Sequence, residues 1–183
     1  MDPTAPWTVV DVLDLPEDRT ARYELLADSL IVSPTPGVRH QRASFRLHVA
    51  LDTAARADGA PVEILEGVNV VLPSGLVVPD LVVADAGATA DDPVTVDIDA
   101  VQLVVELVSP GNRTMDRKIK PLLYAEAAVP HFWRLEFDPA PMLAVYELEG
   151  GRYVERTTAL AGATTRLDTP FPIEIDPATL SRQ

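Results

Sequence analysis

The segment from Leu103 to Glu136 constrains the fold of this chain more than any other. It opens with LVVELV, an apolar run of strand-forming residues that is interrupted by Glu106 alone. A charge inside a core strand is costly unless it is paired or bound to a metal. The segment therefore predicts a buried strand that carries a carboxylate to a site.

A helix and a second strand complete this segment. The sequence SPG ends the first strand, and Asp116, Lys120 and Tyr124 follow at a spacing of four residues. That spacing places the three side chains on one face of a helix. A second strand is expected from His131 to Phe137. We predict a strand–helix–strand unit in which the helix adds polar side chains to the carboxylate of the first strand.

Length and composition indicate a single globular domain spanning residues 1–183. The chain has no cysteine, which excludes disulfides, thiolate metal sites and a cysteine nucleophile, and favours a cytoplasmic location. No apolar run reaches the length of a membrane span and no signal peptide is visible, so no membrane association is expected. The net charge of −13 argues against broad, non-specific binding of nucleic acid, although it leaves room for a locally basic cleft.

The other patterns predict strands on both sides of one long helix. In chain order we expect a short helix at 7–15, a hairpin at 21–33, a long helix at 38–58, strands at 62–65, 68–72 and 77–84, a polar loop at 85–94, and a hairpin at 143–148 and 152–156. These elements predict a mixed sheet flanked by helices, of the α/β or α+β class, in which strand ends bring carboxylates to one place.

Asp80 and Glu106 are the strongest candidates for chemistry, since each interrupts an apolar strand. Mg²⁺ prefers carboxylate, carbonyl and water oxygens and takes one or two carboxylates. Lys120 on the next element would add a positive group that stabilises phosphate charge or orients an attacking water. In the alternative, Asp80 caps a turn after Pro79 and Glu106 is a satisfied core carboxylate. We favour the metal site because the three residues occur together.

Several other polar residues carry weaker signals. Glu24 is either a third carboxylate of the site or an exposed residue of the first hairpin. His40, at the start of the long helix, is expected to be exposed. Asp116 is of a type that fits a helix N-cap. Tyr124 and Trp133 fit core aromatics with a polar edge.

Five pieces of the sequence resemble the Uma-type restriction endonuclease family, a member of the PD-(D/E)xK nuclease superfamily. They are RYELLADSL, SPTPGVRHQRAS, VVPDLVVAD, VVELVSPGNRTMDRKIKPLLYAEAAVP and the strand that contains FW. Each short piece is weak alone, but the five occur in the family order and cover most of the chain.

The resemblance implies a restriction-endonuclease-like core and cleavage of phosphodiester bonds that depends on Mg²⁺ or Mn²⁺. Asp80 falls on the aspartate of the family motif and Glu106 on its acidic position. The lysine expected two residues after the acid is replaced by Val108, and Lys120 on the following helix takes its place. Glu24 matches an N-terminal glutamate that is often found near such sites.

We interpret the chain as a metal-dependent endonuclease that acts on nucleic acid, with DNA as the first candidate for the substrate. The resemblance to the family also suggests a homodimer. In this interpretation Asp80, Glu106 and the carbonyl of Leu107 hold the metal, and Lys120 assists the nucleophilic water. Two alternatives remain open. One is a catalytically inactive module that keeps the nuclease fold for binding or assembly, and the other is a hydrolase of smaller phosphate esters.

Basic residues near the predicted site form a candidate substrate rim, through which binding of nucleic acid would weaken steeply with salt. The rim comprises His40, Arg39, Arg42, Arg113, Arg117 and Lys118. On a helix, Lys118 and Lys120 point about 200° apart, so the two cannot both face the site. The resemblance selects Lys120, whereas a helix that begins at or after Pro121 would turn Lys118 inward.

Overall fold

Two stacked β-sheets form the centre of the molecule in the computed structural model, which describes residues 6–16, 18, 20–109 and 111–182. The strands are β1 Ala21–Leu26, β2 Ser29–Pro34, β3 Val62–Glu66, β4 Asn69–Leu72, β5 Gly75–Val77, β6 Leu81–Asp85, β7 Thr95–Asp97, β8 Val101–Leu107, β9 His131–Glu136, β10 Met142–Glu149, β11 Arg152–Leu160, β12 Thr165–Leu167 and β13 Ile173–Ile175. The α-helices are α1 Val9–Leu13, α2 Val38–Asp58, α3 Ala86–Thr89, α4 Lys120–Glu126 and α5 Pro177–Ser181, with a 3-10 turn at Ile98–Ala100 and a π-helix at Met115–Ile119.

The larger sheet has the strand order β11-β10-β9-β8-β6-β3, and the smaller sheet has the order β2-β1-β5-β4-β7. Strands β12 and β13 form a separate antiparallel pair. In the larger sheet β8 and β9 are parallel, whereas the other neighbours are antiparallel. Parallel neighbours need a crossover connection, and the π-helix with α4 supplies it. The predicted strand–helix–strand unit and the predicted mixed-sheet α+β class are thus confirmed.

Helix α2 covers one face of the larger sheet. Its buried residues recur at a spacing of three to four and pack against β6 and β8; they are Ala43, Leu47, Leu51 and Ala55. Leu47 and Leu51 are fully buried, and replacing such a leucine with alanine typically costs about 2–5 kcal/mol. This packing fixes the N-terminal end of α2 beside the larger sheet. Among the described residues, no helix combines the length and the apolar character that crossing a membrane requires.

The opposite face of the larger sheet packs against the smaller sheet and α4. Val82, Val104 and Phe132 of the larger sheet belong to the same buried cluster as Val77 of the smaller sheet and Tyr124 of α4. Side chains of the larger sheet that point this way therefore enter a layer enclosed by a second sheet and a helix. Polar groups placed in this layer are shielded from water.

The chain passes from the smaller sheet to the larger one between Val77 and Leu81. The prediction of one continuous strand at 77–84 is therefore wrong. Pro79 lies at the break, where its missing N–H cannot take part in a strand ladder. The crossing leaves Asp80 at the start of β6, between the two sheets. The predicted loop at 85–94 also differs from the structure, because Asp85 ends β6 and Ala86–Thr89 form α3.

Candidate functional site

Strand alternation brings Glu106 and Asp80 into the layer between the two sheets. Val105 and Leu107 of β8 pack in the cluster that contains α2, whereas Glu106 contacts α4 on the opposite face. Asp80 adjoins this position, because its carboxylate accepts a hydrogen bond from the backbone N–H of Leu107. Glu106 is 2% exposed and Asp80 is 5% exposed. Two carboxylates are therefore buried side by side at the ends of neighbouring strands.

Lys120 joins two buried carboxylates that come from different sheets. Its Nζ lies 2.9 Å from Oε1 of Glu24 and 3.1 Å from Oε1 of Glu106. One turn further along α4, the hydroxyl of Tyr124 donates to the same Oε1 of Glu106 at 2.6 Å. All four side chains are buried. We call Glu24, Glu106, Lys120 and Tyr124 the glutamate–lysine cluster.

Glu24 has a second contact that explains its place in the core. Its Oε1 accepts a hydrogen bond from the backbone N–H of Val78 at 2.9 Å. Val78 lies just beyond the end of β5, where the strand pairing with β4 has stopped. The Glu24 side chain therefore takes the place of a missing strand partner. Glu24 is 4% exposed, so the alternative of an exposed hairpin residue is wrong.

Asp80 forms an adjoining group of contacts. Its Oδ1 accepts from Nη1 of Arg22 at 2.7 Å, and its Oδ2 accepts from the backbone N–H of Leu107 at 2.8 Å. The Nε2 atom of His40 lies 3.0 Å from Oδ2 of Asp80 and 3.1 Å from the carbonyl oxygen of Leu107. A carboxylate oxygen and a carbonyl oxygen thus converge on one point, where the imidazole nitrogen lies.

Burial sets the protonation of the glutamate–lysine cluster. It raises the pKa of Glu106 to about 8, and the opposing charge of Lys120 offsets this only in part. Burial also works against the charge of Lys120, but the carboxylates of Glu106 and Glu24 outweigh it and raise the pKa of Lys120 above its ordinary value. At neutral pH the cluster therefore holds a proton on Glu106, while Lys120 stays charged opposite Glu24.

Asp80 behaves in the opposite way. Burial alone would raise its pKa, but the hydrogen bonds and charges of His40 and Arg22 outweigh burial and lower it. For the nearby Asp116, burial raises the pKa to about 6, with Lys120 offsetting part of the rise. Neighbouring carboxylates are therefore held in different protonation states, with Asp80 ionised and Glu106 protonated at neutral pH.

The π-helix Met115–Ile119 orients the polar residues that precede α4. Asp116 lies inside this π-helix, is buried, and accepts from the backbone N–H of Ser109 at 3.4 Å, so the suggested N-cap role is wrong. Pro121 directly follows the π-helix in one continuous helical stretch, so its missing N–H removes a backbone hydrogen bond where the π-helix meets α4. Lys120 points into the site, whereas Lys118 is exposed and lines a different cavity.

A cleft of about 230 Å³ opens onto these carboxylates. Its charged and polar lining includes Arg22, Glu24, His40, Asp80, Glu106, Asp116 and Lys120. Of the predicted rim, His40 lines this cleft; Arg39, Arg113 and Arg117 line an adjoining cavity of about 600 Å³, together with His40. Arg42 and Lys118 line neither. The structure therefore divides the predicted rim and brings four of its six residues, His40 and the three arginines, to one cavity beside the cleft.

Three residues make contacts in the site that the sequence did not suggest. His40 was expected to be exposed, but its side chain is 11% exposed and contacts Asp80. Arg22 lies two residues before Glu24 in β1, so alternation alone could have placed the two on one face. Tyr124 is buried as expected, yet its hydroxyl belongs to the site, and its spacing of four from Lys120 was the available signal.

The carboxylate and carbonyl oxygens of the site are of the types that Mg²⁺ takes as ligands. Within the described residues, no three side chains of His, Cys, Asp and Glu are arranged to hold a metal ion among them. The site instead offers Asp80, the carbonyl of Leu107 and Glu106. Mg²⁺ is commonly bound through one or two carboxylates plus carbonyl and water oxygens, so this set suits it. Both polar contacts of Glu106 use Oε1, and its Oε2 has no hydrogen bond to a described residue.

Comparison with known proteins agrees with this architecture. The chain is similar to the crystal structure of "a putative nuclease belonging to DUF820" from Anabaena variabilis ATCC 29413, with a TM-score of 0.76 and 16% sequence identity. The similarity covers 96% of this chain and 97% of that chain, and at this identity it shows the fold alone. No curated protein matches the chain. The model of the Uma2 family, described as "Putative restriction endonuclease", matches residues 9–181, and the chain therefore belongs to the Uma2 family.

Proposed function

We propose that this chain is a metal-dependent nuclease that hydrolyses phosphodiester bonds in nucleic acid. One observation carries the proposal: Glu24, Asp80, Glu106 and Lys120 come from separate elements and meet, buried, in one cleft. Burying several carboxylates opposes folding, and well-packed apolar residues would serve stability as well or better. Strongly shifted pKa values in a cleft are typical of functional sites. The family description and the nuclease-like fold support the same activity.

Asp80, Glu106 and the carbonyl of Leu107 are the residues that we propose to hold Mg²⁺ or Mn²⁺. The convergence of Asp80 and the Leu107 carbonyl on Nε2 of His40 supports this assignment, since both oxygens face a point where positive charge is favoured. When bound, a divalent ion would polarise the phosphodiester and lower the pKa of a water molecule. Glu106 has to release its proton to become a ligand, so binding of the ion should release a proton.

The remaining cluster residues would orient the reacting groups. Arg22 and the backbone N–H of Leu107 hold the two oxygens of Asp80 in fixed directions. Lys120 presents a fixed positive charge beside Glu106, where it can stabilise charge on the phosphate oxygens or orient the attacking water. Glu24 contacts Lys120, and Tyr124 contacts Glu106. These two contacts would hold Lys120 and Glu106 in position, and neither Glu24 nor Tyr124 would be a metal ligand.

The net charge of −13 favours one second candidate, the hydrolysis of a small phosphate diester. A small substrate needs less positive surface than a duplex, whose backbone carries a dense row of charges. DNA is our first candidate for the polymeric substrate. A module that binds nucleic acid without cutting it is the third alternative, and it makes no use of the buried acids.

Cleavage assays separate these candidates. Labelled single-stranded DNA, duplex DNA, single-stranded RNA and bis(p-nitrophenyl) phosphate are incubated with Mg²⁺, with Mn²⁺, or with a chelator. We expect a polymer to be cleaved when Mg²⁺ or Mn²⁺ is present, and not to be cleaved in the chelator. Lys120→Ala should reduce the rate by about a hundredfold or more, as removal of a charge-stabilising donor commonly does. The matched control Lys118→Ala should cleave at nearly the wild-type rate.

Each of the other outcomes favours a different account. Cleavage of the small ester but of no polymer would favour the second candidate. Binding of a polymer without cleavage under any metal condition would overturn the nuclease proposal and favour the inactive module. Equal loss of activity in Lys118→Ala and Lys120→Ala would contradict the function assigned to Lys120.

A further inference from the structure

A cavity of about 600 Å³ lies directly beside the cleft that holds the carboxylates. We call it the side cavity; its wall includes Val38, Arg39, Val108, Arg113, Arg117 and Phe137. Four residues line both spaces: Pro36, Gly37, His40 and Ser109. The two spaces therefore adjoin each other, and a ligand in the cleft has the side cavity next to it.

The walls of the side cavity suit a flat, largely apolar group. Val38 and Val108 supply aliphatic surface, and Val38 is 71% exposed. The guanidinium of Arg39 lies 4.7 Å from the ring centroid of Phe137 and donates to the carbonyl oxygen of Phe137 at 2.9 Å. These contacts hold a planar cation against an aromatic ring. Unpaired nucleobases are bound by stacking on aromatic side chains and on arginine guanidinium planes.

The side cavity also carries an excess of positive charge in a chain of net charge −13. Three arginines line it, Arg39, Arg113 and Arg117, against two acids, Glu136 and Asp138, which leaves a net charge of +1. Arg39 and Arg113 share Asp138 at 3.3 Å and 3.9 Å, and these three side chains are at least half exposed. Such exposed ion pairs contribute little free energy. A phosphate can therefore replace Asp138 as the partner of Arg39 and Arg113. Charge and shape thus both favour an anionic ligand with a planar group.

We propose that the side cavity binds an unpaired nucleotide of the substrate, with its base against Arg39 and Phe137 and its phosphate towards Arg113 and the cleft. This inference rests on the proposed nuclease function and specifies its substrate class. The strand to be cut carries an unpaired nucleotide next to the scissile phosphodiester, because a base that is paired and stacked in a duplex cannot enter the cavity. The cavity volume lies within the range of about 300–1,000 Å³ that is common for sites of single small ligands.

Binding of mononucleotides without metal tests the subsite separately from catalysis. The isotope-labelled full chain is titrated with each deoxynucleoside 5′-monophosphate in the presence of a chelator, and binding is followed by NMR. We expect shifts of the amide signals of Val38, Arg39 and Phe137. Deoxyribose 5-phosphate, which lacks a base, should bind roughly five- to hundredfold more weakly, which is the range expected for the loss of one stacked base.

A variant that fills the cavity supplies the second arm of the test. Val38→Trp should lose mononucleotide binding but keep the thermal stability and the Mn²⁺ binding of the wild type, because Val38 is exposed and does not line the cleft that holds Asp80 and Glu106. The matched control is Val49→Trp, at an exposed position of the same helix, which lies outside the cavity and should bind mononucleotides as the wild type does.

Two results would overturn the subsite. The first is equal binding of deoxyribose 5-phosphate and the mononucleotides, which would leave a phosphate site with no place for a base. The second is unchanged mononucleotide binding in Val38→Trp. Either result leaves the nuclease proposal intact if the wild type still cleaves a polymer with metal. Conversely, mononucleotide binding by a chain that cleaves nothing would keep the subsite and overturn the nuclease.

Discussion

At the scale of single residues, Lys120 decides whether the buried acids are tolerated. Its charge lies within 3.1 Å of Glu106 and within 2.9 Å of Glu24, and all three side chains are almost inaccessible to water. A buried ion pair adds little net stability compared with an apolar pair, but breaking it leaves an uncompensated charge in the core. The neighbouring Lys118 is exposed, so it offers a direct comparison.

Lys120→Met should lower the free energy of unfolding by about 3–5 kcal/mol, since it leaves the Glu24 carboxylate buried without a cation. Lys118→Met should change it by less than about 0.5 kcal/mol, as is usual for exposed positions. Urea denaturation of the two variants beside the wild type measures both quantities. Equal stabilities of the two variants would contradict the buried position of Lys120.

Glu106 gives the protein a pH dependence with a definite sign. Its pKa is about 8 in the folded chain and about 4.5 in the unfolded chain, so the folded state binds the additional proton between these values. The contribution of Glu106 to stability is therefore complete below about pH 4.5 and is lost as the pH rises to about 8. Glu106→Gln cannot titrate and lacks this dependence.

The stability of the wild type relative to Glu106→Gln should fall by roughly 1.4 kcal/mol per pH unit within this window, the slope for one proton. Above about pH 8 the difference should level off. Urea denaturation of both proteins across the window supplies the comparison, in which titrating groups that do not interact with Glu106 cancel because the two chains share them. Parallel stability curves would show that Glu106 is ionised throughout.

Only part of the site could be predicted at this scale. The sequence identifies Asp80 and Glu106 because each is a charge within an apolar run. It identifies Lys120 because that residue shares a helix face with Asp116 and Tyr124. Both signals depend only on residues nearby in the sequence. The contacts of Asp80 with Arg22 and His40 span 58 and 40 residues along the chain. Those contacts depend on how the sheets and α2 pack, which local patterning does not contain.

At the scale of elements, the passage of the chain between the two sheets creates the site. Val77 ends β5 in the smaller sheet, and Leu81 begins β6 in the larger one. Pro79 interrupts the strand ladder, so the backbone N–H of Val78 donates to the carboxylate of Glu24 instead of to a neighbouring strand. Asp80, the next residue after Pro79, lines the cleft. The interruption of the strand is therefore what places an acid from each sheet beside Lys120.

Substitutions of Glu24 separate its hydrogen bond from its charge. Glu24→Gln keeps a carbonyl oxygen for the N–H of Val78 but removes the charge opposite Lys120, whereas Glu24→Ala removes both. We expect Glu24→Ala to be less stable than Glu24→Gln by about 1–3 kcal/mol, the cost of leaving a buried donor unpaired. Thermal and urea unfolding give this difference. Equal stabilities would mean that water satisfies the Val78 amide.

Element prediction succeeded where the pattern was periodic and failed where the chain changed course. The spacing of Ala43, Leu47 and Leu51 identified α2, and apolar runs on both sides of turn residues identified the hairpins. The break at Pro79 was missed because apolar residues continue on both sides of it. The π-helix was missed as well, although it directly precedes Pro121, a residue that cannot donate a helical backbone hydrogen bond.

At the scale of the whole molecule, the acidic balance limits how nucleic acid can bind. The three arginines of the side cavity are the basic residues that the structure groups beside the cleft, while Arg42 and Lys118 lie elsewhere. The broad rim expected from the sequence is thus reduced to a local patch. Few phosphate contacts imply that few counterions are released on binding.

Binding of a short single-stranded oligonucleotide should therefore have a shallow salt dependence. With at most four phosphate contacts, those of the three arginines and of Lys120, the slope of the logarithm of the binding constant against that of the salt concentration should be no steeper than about −3. Fluorescence anisotropy of the Glu106→Gln variant in a chelator measures it without cleavage. A slope steeper than about −4 would require about six contacts and would contradict a local patch.

The measurement that tests the central claim most directly is calorimetric titration of Mn²⁺ into the wild type, Asp80→Ala and Asp85→Ala. The claim is that Asp80 holds a catalytic divalent ion, and Asp85 is an exposed aspartate at the far end of the same strand, β6. We predict one Mn²⁺ site in the wild type and in Asp85→Ala, and none in Asp80→Ala. Equal Mn²⁺ binding by all three proteins, or by none, would contradict the claim.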